Sequence, residues 1–311
     1  MFRWVAAALT ALALLLPSFG SAEDPKSLVF LFQKQKDPTA LRSEADQLAA
    51  AISARIGIPV SAQIPGDYAA SVQALVSGTA DVAYVDSVSF LLARKDGNAS
   101  LLLAEERPDV GGVARTEYDS ILVVRQDSPL QSIEDLKRAH ATTQIVFTSP
   151  TSTSGYLFPF RRFVQEGILK EGGDPKQAFQ QVAFAGSYGA ALEQVVAGLG
   201  DVAAVSNYAF EGAAADTYLS AEKRSQLRVL ARIPGVPTHV VVARSGLSSG
   251  LTTKIQEALL SIGGENPKLL KDIYGAARFV RTDPDSHVKA TAAALASLGL
   301  TVNAFTSKNK S

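Results

Sequence analysis

The chain contains 311 residues, and its 30 lysines and arginines are balanced by 30 aspartates and glutamates. This balance provides no general electrostatic attraction to nucleic acid or to an anionic membrane surface. The sequence has no cysteine, which excludes disulfides, thiol catalysis, cysteine-ligated metals and a lipid anchor on cysteine. A chain of this length exceeds one typical domain, so we expect two lobes.

The first residues have the pattern of a secretion signal. Arg3 supplies a positive start, the apolar run at 5–16 is too short to span a bilayer, and small residues at 20–22 suit a cleavage site. We therefore expect residues 1–22 to be removed and the mature protein to be soluble in the periplasm. A retained membrane anchor is the alternative, and it is disfavoured because the apolar run ends at Pro17.

Short apolar runs rich in β-branched residues alternate with longer helical patterns, which predicts an α/β fold with mostly parallel sheets. The predicted strands are 28–31, 60–63, 82–85, 101–104, 120–124, 144–147, 181–184, 202–205, 228–231 and 240–243. The predicted helices are 39–56, 68–77, 88–94, 132–137, 154–166, 188–197, 208–214, 252–262, 267–273 and 285–298. The polar tail at 307–311 is expected to fray.

One segment of the chain nearly repeats itself, because residues 68–90 and 188–210 align without a gap. Each copy is a helix pattern that begins with a tyrosine, followed by a glycine, a short buried strand and a second helix start. One copy in each lobe predicts two similar lobes that face each other across a cleft.

The strands at 120–124 and 228–231 are expected to carry the chain between the lobes. Lobe 1 is then discontinuous and comprises residues 23–121 and 230–311, and lobe 2 comprises residues 122–229.

Polar residues follow the repeated strands at their carboxyl ends, where open α/β sheets bind ligands. Asp86 and Ser87 follow the first copy, and Ser206 and Asn207 follow the second. All four residue types are good helix N-caps, so capping of the next helix is the alternative to ligand binding, above all for Ser87 and Asn207.

The repeated helices each begin with a cap residue and a tyrosine, Asp67-Tyr68 in one copy and Ser187-Tyr188 in the other. A phenol at that position can donate to an oxyanion or pack over a ligand. The alternative is a ring at the edge of the core.

The most informative local motif is Ser152-Thr153-Ser154-Gly155, which follows a buried strand and opens a helix. Its hydroxyls supply neutral donors, and the first-turn N–H groups and helix dipole favour negative charge. The motif indicates an oxyanion site of the phosphate type, with an ordinary helix cap as the alternative.

No arrangement typical of catalysis is present in the sequence. None of the histidines pairs with a nucleophile motif, and no closely spaced metal-ligand set or glycine-rich nucleotide motif is found. The carboxylates at Glu105-Glu106 and at Asp283 and Asp285 resemble solvated helix faces. We therefore expect no enzymatic activity, no metal, no cofactor and no nucleic-acid partner.

The chain resembles the phosphonate-binding family of periplasmic solute-binding proteins, which serve importers of phosphate, phosphite and phosphonates. The likeness is carried by the stretches at 67–70, 80–84, 118–123 and 149–159, and it continues in order through 186–205 and 233–234. The resemblance covers nearly the whole mature chain. It implies a type II two-lobe fold joined by two crossing strands, which closes on its ligand.

The resemblance also implies which residues hold the oxyanion. Ser152, Thr153 and Ser154 match the hydroxyls that bind it in the family, and Tyr68 and Tyr118 match two tyrosines of the first lobe. Where the family has a histidine at the start of the next lobe-2 helix, this chain has Tyr188, or Ser187 one residue earlier.

The sequence departs from the family where the organic group of the ligand would lie. Members that bind aminoalkyl phosphonates hold the ammonium with carboxylates, but the matching residues 205–208 contain no acid, and Asp86 is the one candidate acid in the cleft. An ammonium left unpaired would lose ~2–5 kcal/mol of affinity, so 2-aminoethylphosphonate is not the expected ligand. His239 either adds positive charge near the anion or is a strand-edge histidine.

These observations predict a monomeric periplasmic binding protein for a small phosphorus oxyanion, phosphonate or phosphite more than phosphate, which it delivers to the permease of an ABC importer. Two alternatives stay open: a sensory protein that presents its closed form to a membrane receptor, and a two-lobe binder of an unrelated organic ligand. The expected ligand-binding residues are Tyr68, Asp86, Tyr118, Ser152, Thr153, Ser154, Tyr188, Ser206, Tyr208 and His239.

Overall fold

A computed structural model describes residues 24–109, 111–212 and 214–307. The expected signal segment at 1–22 lies outside these residues, and so does the polar tail beyond Ser307. Within the described ranges, no helix combines the length and the apolar character that crossing a bilayer requires.

Strands and helices alternate along most of the chain. The strands are β1 (Leu28–Phe32), β2 (Val60–Gln63), β3 (Val82–Val85), β4 (Ser100–Pro108), β5 (Ala114–Arg115), β6 (Glu117–Arg125), β7 (Gln144–Phe147), β8 (Gln181–Phe184), β9 (Val202–Ser206), β10 (Leu227–Pro237), β11 (Val240–Ala243) and β12 (Arg278–Val280).

The α-helices are α1 (Pro38–Ile56), α2 (Tyr68–Ser77), α3 (Ser87–Gly97), α4 (Ile133–Ala139), α5 (Phe158–Gln165), α6 (Pro175–Ala178), α7 (Tyr188–Val196), α8 (Ala221–Arg224), α9 (Ser249–Glu265), α10 (Pro267–Tyr274), α11 (Pro284–His287), α12 (Lys289–Ser297) and α13 (Val302–Ser307). A π-helix at Thr153–Leu157 leads directly into α5, and 3-10 helices occur at His140–Thr142, Asn207–Ala209 and Ala215–Thr217.

The strands form two sheets. The first has the order β12-β4-β11-β3-β1-β2, with β5 paired to β4, and the second has the order β10-β6-β9-β7-β8. The two long strands β6 and β10 pair with each other in the second sheet, and each connects directly to a strand of the first sheet.

Both sheets are mixed, which corrects the expectation of mostly parallel sheets. The parallel pairs are β1 with β2 and β3, and β7 with β8 and β9. Strand β11 runs antiparallel between β3 and β4, and β6 runs antiparallel beside β9. The chain passes between the sheets through the short connections before β6 and β11, and each of these strands runs antiparallel to its neighbours in the sheet that it enters.

Every predicted strand is present, and the unpredicted strands are the short β5 and β12. The helix predicted at 208–214 is wrong, because the backbone forms only a 3-10 turn at Asn207–Ala209 and Gly212 has a positive φ of 88°. The helix predicted at 285–298 is divided into α11 and α12 at Val288.

The hydrophobic core has two parts. One lies between the first sheet and the helices α1, α9 and α10, and includes Phe30, Leu48 and Ile255. The other is continuous from Val85 in the first sheet to Phe147 in the second. The C-terminal helix α12 packs on β10 and α5, and α13 packs on α3. The lobe boundaries expected at 121/122 and 229/230 fall inside β6 and β10 and remain predictions.

The aspartates of the repeat have the same structural role in both sheets. Asp81 donates its amide to the Val29 carbonyl (3.0 Å), and its carboxylate accepts from the Val29 amide (2.8 Å). Asp201 does the same with Gln144, at 2.8 and 2.7 Å. Each aspartate therefore fixes the end of one strand against its parallel neighbour.

We expect Asp81→Ala to lower the free energy of unfolding by about 1–3 kcal/mol, because the Val29 amide loses its partner in a half-buried position and Arg244 loses the carboxylate that it contacts at 2.9 Å. The matched control Asp201→Ala should cost less, since that carboxylate is exposed. Urea denaturation of both variants measures the difference. Equal losses in the two variants would contradict the role assigned to burial.

Candidate functional site

The carboxyl ends of β1, β3, β7 and β9 meet between the two sheets, as expected for a binding site in an α/β fold. Tyr68 and Tyr188 stand at the starts of α2 and α7, where Asp67 and Ser187 cap the helices as predicted. Tyr118 lies on β6. The Ser152–Ser154 segment follows β7 and opens the π-helix, so chain segments from both sheets converge on one place.

Five side chains with hydroxyl groups lie together at this point. We refer to them as the hydroxyl cluster: Tyr68, Tyr118, Ser152, Ser154 and Tyr188. The Ser154 Oγ lies 2.9 Å from the Tyr188 hydroxyl and accepts from the Tyr118 hydroxyl at 3.2 Å. The Ser152 Oγ accepts from the Gly155 amide at 3.0 Å and caps the π-helix. All five side chains are buried. The Tyr68 hydroxyl has no hydrogen-bond partner in the part of the chain that the structure describes.

The phenols of the cluster are neutral donors. Burial raises the pKa of Tyr68 and Tyr118 well above its ordinary value, with a further rise from the neighbouring Tyr188 and Asp86. Burial also raises the pKa of Tyr188. At neutral pH these hydroxyls therefore stay protonated and can donate hydrogen bonds to an anion.

Asp86 and Thr153 hold the two sides of the cleft together. One carboxylate oxygen of Asp86 caps α3 at the Ser89 amide (2.9 Å), and the other accepts from the Thr153 amide across the cleft (2.7 Å). The Thr153 hydroxyl in turn accepts from the Val88 amide (3.0 Å). Burial raises the pKa of Asp86, while the hydrogen bonds from Ser89 and Thr153 act in the opposite direction.

These contacts show which of the candidate residues are already engaged by the protein. Both polar groups of Thr153 and both oxygens of Asp86 take part in the contact between the lobes. The ligand-binding roles assigned to the individual residues remain predictions.

Tyr208 and Ser206 lie beside the hydroxyl cluster. The Tyr208 hydroxyl donates to the Gln35 Oε1 at 2.8 Å, and the Tyr188 amide donates to the Gln35 carbonyl at 3.1 Å. The Ser206 Oγ is buried and has no partner among the described residues. Sequence reasoning missed Gln35, although its position just after β1 satisfies the same strand-end rule that selected Asp86.

A buried ion pair lies next to Tyr208, and it corrects the interpretation of Glu105 as part of a solvated helix face. Glu105 lies on β4 with no exposed surface, and its carboxylate accepts from Arg107 and from the Tyr84 hydroxyl. Arg107 is equally buried, and its guanidinium carbon lies 3.5 Å from the centre of the Tyr208 ring. Arg107 was not predicted, because the predicted strand ended at Ala104.

His239 is fully buried between β10 and β11. Burial lowers its pKa well below the ordinary value, and the charge of Arg107 and the neighbouring His287 lower it further. The imidazole is therefore neutral at pH 7, which argues against the alternative in which it adds positive charge near the anion. A positive charge does border the cleft in this region, since the Arg107 guanidinium lies over the Tyr208 ring.

Gly155 allows the π-helix to approach the end of β7. A Cβ at this position would lie 2.3 Å from the Thr148 Oγ1. Thr148 cannot move aside easily, because its hydroxyl donates to the Ala204 carbonyl and its amide donates to the Gly155 carbonyl. The glycine of the Ser-Thr-Ser-Gly motif is thus required for packing.

We expect Gly155→Ala to destabilise the protein by about 1–3 kcal/mol through overpacking. Gly264→Ala is the matched control, since Gly264 lies in α9 with open space around it and should gain about 0.5–1 kcal/mol from the better helix former. Thermal denaturation of both variants is the measurement. A Gly155→Ala protein as stable as the wild type would contradict the close packing described here.

No three histidine, aspartate or glutamate side chains within the described residues come together in a group that could hold a metal ion.

Two α/β sheets joined by two long strands, with polar strand ends facing each other, define a type II periplasmic binding protein. The two-lobe α/β fold expected from the sequence is confirmed, with mixed sheets. A family model described as "ABC transporter, phosphonate, periplasmic substrate-binding protein" matches residues 30–288. The chain belongs to this family of periplasmic substrate-binding proteins.

Individual relatives are distant. The phosphate-import protein PhnD of Mycolicibacterium smegmatis is 26% identical over 165 residues, 53% of this chain, and the match spans only 50% of the relative's length. The phosphonates-binding periplasmic protein of Escherichia coli is 24% identical over 254 residues, 81% of this chain and 71% of the relative. The solved structure of PhnD1 from Prochlorococcus marinus in complex with methylphosphonate has a TM-score of 0.74 at 21% identity, covering 89% of this chain and 100% of that chain.

Proposed function

We propose that this protein binds a small phosphorus oxyanion, a phosphonate or phosphite in preference to phosphate, in the cleft between its lobes. The observation that carries the proposal is the hydroxyl cluster, in which Tyr68, Tyr118 and Tyr188 converge on the helix start at Ser152–Ser154. The family of the chain and the names of its relatives, which refer to phosphate import, phosphonates and methylphosphonate, support the same class of ligand.

Neutral hydroxyls are suitable donors for such an anion. A hydrogen bond from a neutral donor to an oxyanion is charge-assisted and is stronger than one between neutral groups. Burial of the cluster removes competing water and strengthens each bond further. The positive end of the helix dipole at Ser152 contributes in the same direction.

Closure of the lobes is the second part of the proposal. Tyr68 belongs to the side of the cleft that carries α2, and Tyr188 belongs to the side that carries α7. An anion that accepts from both tyrosines is bound more tightly when the lobes are together, and it therefore shifts the protein toward the closed form.

The remaining parts of the proposal concern the protein's cellular role. We infer that residues 1–22 direct export and are removed, and that the closed protein acts as a monomer that delivers its ligand to the membrane permease of an ABC importer. We infer that the protein binds its ligand without turnover and that the hydroxyl cluster acts as a set of hydrogen-bond donors. Both oxygens of Asp86 already accept from backbone amides, so we assign this carboxylate a structural role.

A thermal-shift screen tests the ligand class. Phosphate, phosphite and methylphosphonate should each be compared with acetate and sulfate at equal concentration. A ligand present at about 100 times its dissociation constant stabilises the folded protein by about 2.7 kcal/mol. A shift with acetate equal to that with the phosphorus compounds would contradict the proposal.

Tyr68→Phe tests the hydroxyl cluster itself. The Tyr68 hydroxyl has no partner among the described residues, so its removal should not lower stability but should weaken methylphosphonate binding by about tenfold or more, the value of a hydrogen bond to a charged group. Calorimetric titration and urea denaturation measure the two effects.

The control for this variant is Tyr274→Phe. The Tyr274 hydroxyl donates to the Gln33 carbonyl at 2.6 Å, and its loss should cost about 1 kcal/mol of stability without weakening binding. If Tyr68→Phe binds methylphosphonate as tightly as the wild type, the Tyr68 hydroxyl is not a ligand of the anion.

A further inference from the structure

A second set of buried polar atoms lies directly beside the hydroxyl cluster. Among the described residues, the Arg107 Nη1, the Gln35 Nε2 and both ring nitrogens of His239 have no hydrogen-bond partner. We refer to these three side chains as the donor group. Each of them is fully or almost fully buried. Buried polar groups are rarely left unpaired in proteins, so a ligand placed among these side chains would gain hydrogen bonds that the described residues do not supply.

Two tyrosine rings connect the donor group to the hydroxyl cluster. The Arg107 guanidinium carbon lies 3.5 Å from the centre of the Tyr208 ring and 5.7 Å from that of Tyr118. The His239 ring is stacked with that of Tyr118, with 6.0 Å between their centres. Gln35 holds the Tyr208 hydroxyl through its Oε1. A ligand anchored at the hydroxyl cluster could therefore reach the donor group with a substituent only a few atoms long.

The chemistry of the donor group specifies the end of the ligand that it would bind. An arginine Nη and a glutamine Nε can only donate, and a neutral histidine supplies one further donor. Arg107 also carries a permanent positive charge. The matching chemical group is a hydrogen-bond acceptor, best a carboxylate, which pairs well with guanidinium.

Among the buried side chains that the structure describes around Arg107, no carboxylate is free to pair with an ammonium group. The carboxylate of Glu105 accepts from Arg107 with one oxygen and from the Tyr84 hydroxyl with the other. Both oxygens of Asp86 accept from backbone amides. An ammonium placed against the Tyr208 ring would also meet the charge of Arg107, which already lies over that ring.

Space for a substituent is available next to Arg107. A cavity of about 530 Å³ that opens toward the surface is lined by Arg107, Tyr118, Asn207 and Tyr208, among others. Arg107 is the member of the donor group that lines it, and Gln35 and His239 lie behind the Tyr208 and Tyr118 rings that they contact. Of the acidic side chains that line this cavity, Asp109 is paired with Arg115 at 2.6 Å, Asp119 faces Arg232 at 3.7 Å, and Glu117 is exposed at the outer rim, away from the buried Arg107.

We propose that the ligand of this protein is a phosphonate whose organic substituent ends in a carboxylate, held by Arg107, Gln35 and His239. This proposal rests on the proposed function, since it requires the phosphonate oxygens to lie at the hydroxyl cluster. It assigns Arg107 and Gln35 as the residues that determine specificity.

The test is a calorimetric comparison of ethylphosphonate, 2-aminoethylphosphonate and phosphonoacetate with the wild-type protein. Phosphonoacetate should bind about tenfold or more tightly than ethylphosphonate, as expected for a charge-assisted hydrogen bond, and 2-aminoethylphosphonate should bind more weakly than either. If ethylphosphonate binds as tightly as phosphonoacetate, the inference is overturned and the proposed function stands. If none of the three binds while phosphite stabilises the protein in the thermal-shift screen, this inference fails and the proposed function stands; if phosphite and phosphate also have no effect, both fail.

Gln35→Glu tests the same inference within the protein. The change replaces the unpartnered Nε2 by an oxygen of nearly the same size and keeps the Oε1 that Tyr208 uses. Titration at mildly alkaline pH keeps the buried carboxyl ionised. The preference should then reverse, with 2-aminoethylphosphonate bound more tightly than phosphonoacetate.

Gln47→Glu, on the exposed face of α1, adds the same charge and should leave the wild-type order unchanged. An unchanged order in a folded Gln35→Glu protein would overturn the assignment of Gln35. Should that variant fail to fold, the wild-type series with its three ligands decides the question alone.

Discussion

Thr153 joins the two lobes through both of its polar groups, since its amide donates to Asp86 and its hydroxyl accepts from the Val88 amide. The contact brings together the N-termini of two helices, α3 and the π-helix that continues into α5. Both ends carry partial positive charge, and they would repel each other without an intervening anion. The Asp86 carboxylate lies between them and accepts an amide from each. The meeting of Tyr68 with Tyr188 depends on this contact.

Burial of the cleft determines its chemistry. The tyrosines of the hydroxyl cluster retain their protons because burial raises their pKa, and they are therefore donors to an anion. The same burial keeps His239 neutral. Arg107 can carry its charge in the interior because it is paired with Glu105. The cleft thus has one region of neutral donors and one region with a paired charge. This division matches a ligand with two unlike ends.

The internal repeat explains why the two lobes follow one plan and where they differ. Asp81 and Asp201 fix corresponding strands, and Tyr68 and Tyr188 project from corresponding helices into the same cluster. After the repeated strands the copies diverge, with Asp86 in one and Ser206 in the other. Asp86 reaches across the cleft, whereas the Ser206 hydroxyl has no partner among the described residues.

Local patterns in the sequence determined the positions of the main strands and of the helix caps. Alternating apolar runs were sufficient to locate the main strands, and Asp67 and Ser187 were recognisable as caps, because these features depend on neighbouring residues. The Ser-Thr-Ser-Gly motif and the repeat likewise identified the place of the cleft. Only the tertiary structure decided that Glu105 and Arg107 are buried, because their partners come from β3, α10 and the 3-10 turn at Asn207–Ala209, far away in the chain. A charged side chain enters a protein interior only when such partners meet it there, and no local pattern contains that information.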